Sequence, residues 1–156
     1  MKKLILGIAL IAVISLGGFM PFDGTDVAKL HPIEVLAVSS VNDLTFVRTD
    51  TGLIGIGEDV KQAIGDMKAS SPGEIFMETA NYLLFERKCE YMLAEIFEFI
   101  RPACQIYIYE GNGKMEDIAK YLENHPSGVT ALRYKQGNSN VPEIMSKDGR
   151  YKIVKP

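Results

Sequence analysis

Strand-like and helix-like segments alternate along the chain from residue 33 onward, and this order constrains the fold more than any other feature of the sequence. Residues 33–41, 44–48 and 53–57 are apolar and β-branched, with turn residues between them, as in a hairpin or small meander. The pattern then changes to one helical stripe, formed by Val60, Ala63, Ile64 and Met67. The first half of the chain therefore predicts three strands followed by a helix.

The second half of the chain continues the alternation. Residues 105–109 alternate in polarity, which predicts a strand. Helical stripes lie on both sides of it, within residues 89–100 (Met92, Leu93, Ile96, Phe97 and Ile100) and after residue 114 (Met115, Ile118, Ala119 and Leu122). Residues 74–86 fit two interpretations. We predict a strand at Tyr82–Phe85, and a helix that continues into the next segment is the alternative.

The resulting order, β-β-β-α-β-α-β-α, predicts an α/β fold with a mixed, partly parallel sheet and about three helices. An α+β arrangement is the alternative. We place the α/β domain at residues 33–126, after a linker at residues 23–32 that is rich in turn residues. Residues 127–156 are predicted to be a basic C-terminal tail, in which Val141–Met145 and Arg150–Val154 would pair as a terminal hairpin.

The N-terminus has features that predict where the protein is located. An apolar run follows Lys2 and Lys3 and ends before Pro21. Two positive charges before such a run are typical of an export signal, so residues 1–22 are predicted to be a hydrophobic helix that is either a cleaved signal peptide or a membrane anchor. A helix over residues 4–20 would be about 25 Å long against a hydrocarbon core of about 30 Å, so both interpretations stay open. The positive-inside rule keeps the lysines in the cytoplasm, and we expect an extracytoplasmic protein, membrane-anchored or secreted.

Composition excludes several classes of protein. The 156 residues are 47% hydrophobic and 24% charged, which rules out a wholly disordered chain, and two Cys rule out a disulfide-dense scaffold. A net charge of −3 argues against nucleic-acid binding. The charge is uneven, with 9 basic and 18 acidic residues in 21–132 but 6 basic and 2 acidic residues in 133–156. Such a tail contacts either a phosphate-rich surface or the acidic body, and the spread of its basic residues favours the second.

Three glycines precede the first predicted helix, where a phosphate-binding loop would lie. The spacing of Gly52, Gly55 and Gly57 matches neither G-x-G-x-x-G nor a Walker A motif. Glu58 and Asp59 would also repel a phosphate at the helix start. We interpret the segment as the end of a strand, and a small-ligand or enzymatic site at residues 52–57 is the alternative function. Converging backbone N–H groups would favour that site, whereas a closed, carboxylate-lined helix start would argue against it.

No other residue pattern identifies a reaction. The two histidines, His31 and His125, and the two cysteines, Cys89 and Cys104, lack the spacing of a known metal site. We interpret the histidines as surface or helix-capping residues. An oxidising compartment permits a disulfide between the cysteines, but two unpaired, half-buried thiols are the interpretation that we favour.

Two further sets of polar side chains have a structural interpretation. Glu90, Glu95 and Glu98 fit the solvated face of their predicted helix better than a pair of acid–base carboxylates. Tyr107 and Tyr109 lie on one face of their strand, where a half-buried pair is expected. We therefore name no catalytic, cofactor-binding or metal-binding residue, and expect no cofactor.

The order of elements also matches a known family. The matching segments are a strand at 32–41, a glycine-ended strand and helix at 55–64, a Ser-Pro turn and strand at 71–85, an alternating strand at 105–109, and a Gly-Lys turn and helix at 113–120. Over about residues 27–124, the chain resembles the N-terminal domain of spore germinant-receptor C-subunit lipoproteins, the Ger(x)C-type spore germination proteins. It departs from them in lacking a lipid-attachment Cys after the apolar run. It is also much shorter, as a stand-alone relative of their first domain would be.

The resemblance implies a function without catalysis. The expected role is an adaptor or receptor-subunit-like domain at the membrane of a Gram-positive spore-former, acting through protein–protein contacts. Its implied partners are membrane-embedded receptor subunits or other envelope proteins, with the membrane itself a partner if the N-terminal helix stays uncleaved. No catalytic residue is carried over from the family.

Overall fold

A computed structural model of the protein describes residues 30–126, 128–147 and 149–155. The predicted N-terminal hydrophobic helix and most of the predicted linker lie outside these residues. The strands are β1 (Leu30–Pro32), β2 (Val35–Val41), β3 (Leu44–Thr49), β4 (Ile54–Gly57), β5 (Glu74–Phe76), β6 (Tyr82–Phe85), β7 (Gln105–Tyr109), β8 (Val129–Thr130), β9 (Glu143–Lys147) and β10 (Arg150–Val154). The helices are α1 (Val60–Ser70), α2 (Leu93–Ile96), α3 (Met115–Asn124) and α4 (Ala131–Lys135), with 3₁₀ turns at Met77–Thr79 and Arg87–Met92.

The predicted mixed, partly parallel sheet is confirmed. Its strand order is β10-β9-β7-β6-β2-β3-β4, and β8 pairs with β7 beside this path. The central strands β2, β6, β7 and β9 run parallel, while the hairpins β2–β3–β4 and β9–β10 add antiparallel strands on both sides. Strands β1 and β5 form a separate parallel pair. Helical connections between parallel strands thus give the α/β fold that the alternating pattern predicted.

Buried residues form one cluster on each face of the sheet, so the molecule has three layers. Leu36, Leu83 and Ile106 point to the face covered by α1 and the 87–100 segment. Their neighbours along the same strands, such as Ala37 and Leu84, point to the opposite face, which α3 covers. This alternation follows from the two-residue period of a strand. Because both faces of these strands are buried, their sequences read as continuous apolar runs.

The first helix and several turns form where the sequence predicts them. Helix α1 buries the four residues of its predicted stripe: Val60, Ala63, Ile64 and Met67. The turn between β2 and β3 places Asn42 and Asp43 at φ values of 51° and 62°, a conformation that these residue types tolerate. Gly52 turns the chain between β3 and β4 at a φ of 82°.

The second predicted helix, at residues 89–100, is present, but it begins as a 3₁₀ helix and ends before residue 100. Residues Arg87–Met92 form a 3₁₀ helix and only Leu93–Ile96 are α-helical. The predicted apolar stripe is nevertheless buried, since Met92, Leu93, Ile96, Phe97 and Ile100 all belong to the core. Cys89 and Met92, three residues apart, are buried on the same side of the tighter helix, and a 3₁₀ helix brings side chains at this spacing into line.

Both ends of the predicted domain also need correction. The predicted linker ends in β1, which pairs with β5. The predicted tail belongs to the same sheet, because β9 lies beside β7 and the buried side chain of Ile144 packs under α3. The predicted terminal hairpin is confirmed as β9–β10, and α4 is a fourth helix that the sequence pattern did not indicate. The basic segment thus contacts the acidic body, as one of its two interpretations required.

Candidate functional site

The glycines between β3 and α1 serve close packing between a strand and a helix. A Cβ atom on Gly55 would lie 1.9 Å from the backbone oxygen of Ala63, and one on Gly57 would lie 2.4 Å from the backbone nitrogen of Ala63. Any side chain at these positions would therefore push α1 away from β4. Gly52 has open space around its Cβ position and is needed instead for its positive φ.

The start of α1 is closed by side chains. The carboxylate of Asp59 accepts a hydrogen bond from the backbone N–H of Gln62 at 2.8 Å, so Asp59 caps the helix. Glu95 accepts one from the backbone N–H of Lys61 at 3.2 Å, and the side-chain oxygen of Gln62 accepts one from the N–H of Glu58 at 3.3 Å. Glu58 and Asp59 precede the helix. The geometry is the closed, carboxylate-lined helix start, and it gives no support to a ligand site at residues 52–57.

The histidines lie apart. His31 belongs to β1, which pairs with β5, while His125 follows the last residue of α3. The ring of His125 stacks on Tyr121 at a centroid distance of 4.4 Å, and its Nδ1 lies 2.9 Å from the backbone oxygen of Tyr121. His125 therefore has the predicted capping role. Within the described part of the chain, no three His, Cys, Asp or Glu side chains are grouped as metal ligands.

Both cysteines are free and buried, more completely than the half-burial that we predicted. Cys89 lies in the 3₁₀ helix before α2, and Cys104 directly precedes β7. Burial raises the pKa of the Cys104 thiol to about 12, and burial together with the charge of Glu86 raises the pKa of Cys89. Both thiols are therefore held in the protonated, unreactive form.

The three glutamates of the 87–100 segment connect neighbouring elements. Glu90 and Glu98 are exposed, as predicted for a solvated face. Glu90 accepts a hydrogen bond from the hydroxyl of Tyr134 at 2.6 Å, and Glu98 lies 3.4 Å from the ammonium group of Lys61. These contacts join the segment to α4 and α1, which is a structural role.

The tyrosine pair is fully buried, which corrects the predicted half-burial. Tyr107 and Tyr109 lie in the cluster beneath α3. The hydroxyl of Tyr107 donates to the side-chain oxygen of Gln105 at 2.8 Å, and that of Tyr109 accepts from the backbone N–H of Gly113 at 2.6 Å. The sequence could not reveal this burial, because α3 covers the pair from another part of the chain.

A charged cleft that the sequence did not indicate lies beyond the carboxyl ends of β6 and β7. It has a volume of about 360 Å³ and is lined by Arg48, Glu86, Lys88, Glu110, Gly111 and Asn112. Strand β2 lies between β3, which carries Arg48, and β6, which leads into Glu86. In open α/β sheets, ligands bind in crevices outside the carboxyl ends of the strands.

An apolar surface lies on the same face of the sheet, beside α3. Ala37 packs under α3, and the register pairs it with Arg48 and Arg48 with Ile54, so these side chains share one face. Four large apolar residues of this face on β2, β3 and β4 are exposed, and Phe46 beside them is half-buried: Val41, Leu44, Ile54 and Ile56 are the exposed ones. Val41 and Ile54 have about half of their surface exposed, at 51% and 52%. We call these four residues the β2–β4 apolar face.

Comparisons with models of protein families, with curated proteins and with solved structures found no match. None of the helices in the described ranges combines the length and the apolar character needed to cross a membrane.

Proposed function

We propose that the chain is a non-catalytic, extracytoplasmic adaptor or receptor-subunit-like domain that acts by protein–protein contact at the membrane, in spore germination. The β2–β4 apolar face is the observation that carries this proposal. Exposed apolar residues that share one face of a sheet mark interaction surfaces on soluble domains. The resemblance to germinant-receptor C subunits supplies the biological setting.

The length of chain before the sheet supports a partner in the membrane. The predicted apolar helix ends at Met20, and β1 begins at Leu30. Residues 21–29 can span at most about 30 Å at roughly 3.3–3.6 Å per residue. An uncleaved anchor would therefore hold the domain beside the extracytoplasmic parts of membrane-embedded proteins. The proposed partner is such a part of a receptor subunit, with an apolar patch that covers the β2–β4 face.

The contact would use the face of the sheet rather than its edge. The outward backbone N–H of Ile56 on β4 already donates to the carboxylate of Asp66 at 3.0 Å. A partner strand that extended the sheet at β4 would have to displace this charged side chain. Ile54 and Ile56 project from the face itself, where a partner can bury them without breaking a hydrogen bond.

Photocrosslinking in a germinating spore-former tests the partner. A photoreactive amino acid at Ile54 is expected to form an adduct with a membrane-embedded germinant-receptor subunit. The same residue at Lys120, which is exposed on α3, serves as the matched control and should not. A further chain carries the photoreactive amino acid at Leu44 together with the substitutions Ile54→Glu and Ile56→Glu. These charges on the apolar face should abolish the adduct. Equal adducts from positions 54 and 120, or no receptor adduct from either, would contradict the proposal.

A reporter fusion tests the location separately. A phosphatase that is active only outside the cytoplasm, fused after Pro156 of the full chain, is expected to be active. Replacement of Leu6 and Ile11 by Asp interrupts the apolar run and should silence the reporter, because a charge in the core of an export signal prevents its insertion. A second reporter, one that is active only inside the cytoplasm, can be fused at the same place. Activity of that reporter would refute the extracytoplasmic assignment.

A further inference from the structure

We infer that the charged cleft bounded by Arg48 and Glu110 binds a small zwitterion of the amino-acid type, through its carboxylate and its ammonium group. The cleft adjoins the β2–β4 apolar face, because Arg48 pairs with Ile54 across neighbouring strands. The inference does not depend on the proposed adaptor role.

The first observation that supports a ligand in the cleft concerns the guanidinium group of Arg48. Its side chain is half-buried, and among the described residues it makes no ion pair within 4.0 Å. Its Nε atom is buried and has no hydrogen-bond partner in the described part of the protein. A buried donor without an acceptor is costly, and a guanidinium group pairs well with a planar carboxylate through two parallel hydrogen bonds. Arg48 lines the cleft, so the carboxylate of a ligand there would pair with its guanidinium group.

The remaining charges of the cleft divide into a paired set and a free one. Glu86 already lies 3.0 Å from the ammonium group of Lys88 and also accepts from the backbone N–H of Ser40 at 3.4 Å. The carboxylate of Glu110 is exposed and accepts only from the backbone N–H of Arg87, at 3.4 Å, among the described groups. Glu110 also acts electrostatically on Lys88, but the ion pair of Lys88 is with Glu86. One cation, Arg48, and one anion, Glu110, therefore have no ion-pair partner among the described residues.

The charge balance selects the class of ligand. The four charged residues of the lining carry two positive and two negative charges, so the cleft has no net charge. Because the lining has no net positive charge, its charges do not favour a phosphate or a dicarboxylate over a ligand that is neutral overall. A zwitterion meets both free groups, with its carboxylate on Arg48 and its ammonium on Glu110. The cleft volume of about 360 Å³ lies at the lower end of the range of small-molecule sites, which is roughly 300–1,000 Å³.

Titration of the full chain, purified in a mild detergent, tests the inference. The probes are glycine, β-alanine and γ-aminobutyrate, three zwitterions of increasing charge separation, with acetate and methylamine as single-charge controls. We expect at least one zwitterion to bind saturably in calorimetry and both controls to bind more weakly. Failure of all three zwitterions to bind would overturn the inference, and acetate that binds as tightly as the best zwitterion would overturn the ligand class.

Substitutions of Arg48 and Glu110 test whether the zwitterion binds in this cleft. Arg48→Met and Glu110→Gln are each expected to weaken the best zwitterion by about tenfold or more, because each removes a charge-assisted hydrogen bond. Arg133→Met, an exposed arginine on α4, is the matched control and should leave binding unchanged. Glu110 is exposed, so its variant keeps the inference testable if Arg48→Met unfolds. Zwitterion binding that is unaltered in Glu110→Gln would refute the assignment.

Discussion

The carboxylate of Asp66 on α1 accepts a hydrogen bond from the backbone N–H of Ile56 on β4, at 3.0 Å. The residues are ten positions apart, and the contact joins a helix to the outermost strand of the sheet. Unpaired N–H groups on an edge strand are templates for pairing with another chain, and a charged side chain over the edge opposes this. Asp66 thus both satisfies a backbone donor and protects the edge of β4.

Removal of this carboxylate should expose the edge. We expect Asp66→Ala to lower the free energy of unfolding by about 1 kcal/mol, the net value of a typical hydrogen bond, and to increase self-association at high protein concentration. Urea unfolding and light scattering measure the two effects. Glu123→Ala, which removes an exposed acid from α3, should change neither. Unaltered self-association in Asp66→Ala would show that the edge is protected by something else.

Alanine substitutions at two glycines should change stability in opposite directions. Gly55→Ala drives a Cβ into the backbone of Ala63 and is expected to cost about 2 kcal/mol or more, as overpacking does. Gly65 lies within α1 with no atom within 4 Å of its Cβ position. Gly65→Ala should therefore stabilise the protein by about 0.5–1 kcal/mol, through the helix propensity of alanine. Urea unfolding of both variants tests the pair, and a stabilising Gly55→Ala would refute the close packing of α1 on β4.

A charge on the buried face of α1 should unfold the domain. Ile64 is 2% exposed, and Ile64→Asp places an unpaired carboxylate in the core at a cost of several kcal/mol, against a total stability of about 5–15 kcal/mol. Lys61 is exposed and pairs with Glu98, so Lys61→Asp should cost only about 1 kcal/mol or less. Thermal melts followed by circular dichroism compare the two variants. Equal melts would mean that the phase of α1 is wrong.

The buried thiol of Cys104 should make the protein less stable in alkali. Its pKa is raised from 9.0 to about 12, so the native state keeps a proton that the unfolded state loses first. The stabilisation is complete below about pH 9 and is lost as the pH rises toward 12. Urea unfolding at increasing pH should show a shallower decline in Cys104→Ala than in the wild type. Identical slopes would contradict the burial of this thiol.

Reactivity provides a second test of the cysteines. A thiol-specific disulfide reagent should label neither Cys89 nor Cys104 in the native chain at neutral pH, because both thiols are buried and protonated. In urea, both should react. Rapid labelling of either cysteine without denaturant would show that the segment around it opens easily.

Local periodicity and turn chemistry were enough to predict several features of the fold. The stripe from Val60 to Met67, the buried strand Tyr82–Phe85 and the turn at Asn42-Asp43 could each be predicted from neighbouring residues. Spacing alone could not distinguish an α-helix from a 3₁₀ helix at residues 87–92, because apolar residues three apart suit both.

The roles of the polar residues and the glycines depend on contacts between distant parts of the chain. In the sequence, Gly55 fits the end of a strand better than a phosphate-binding loop, but its role in packing is evident only when the backbone of Ala63 lies against it. Arg48 and Glu110 are far apart in the chain, and the strand order β3-β2-β6-β7 brings both to the lining of one cleft. Periodicity shows which face of an element is buried, but strand order determines which distant side chains meet, and that order depends on the packing of the whole sheet.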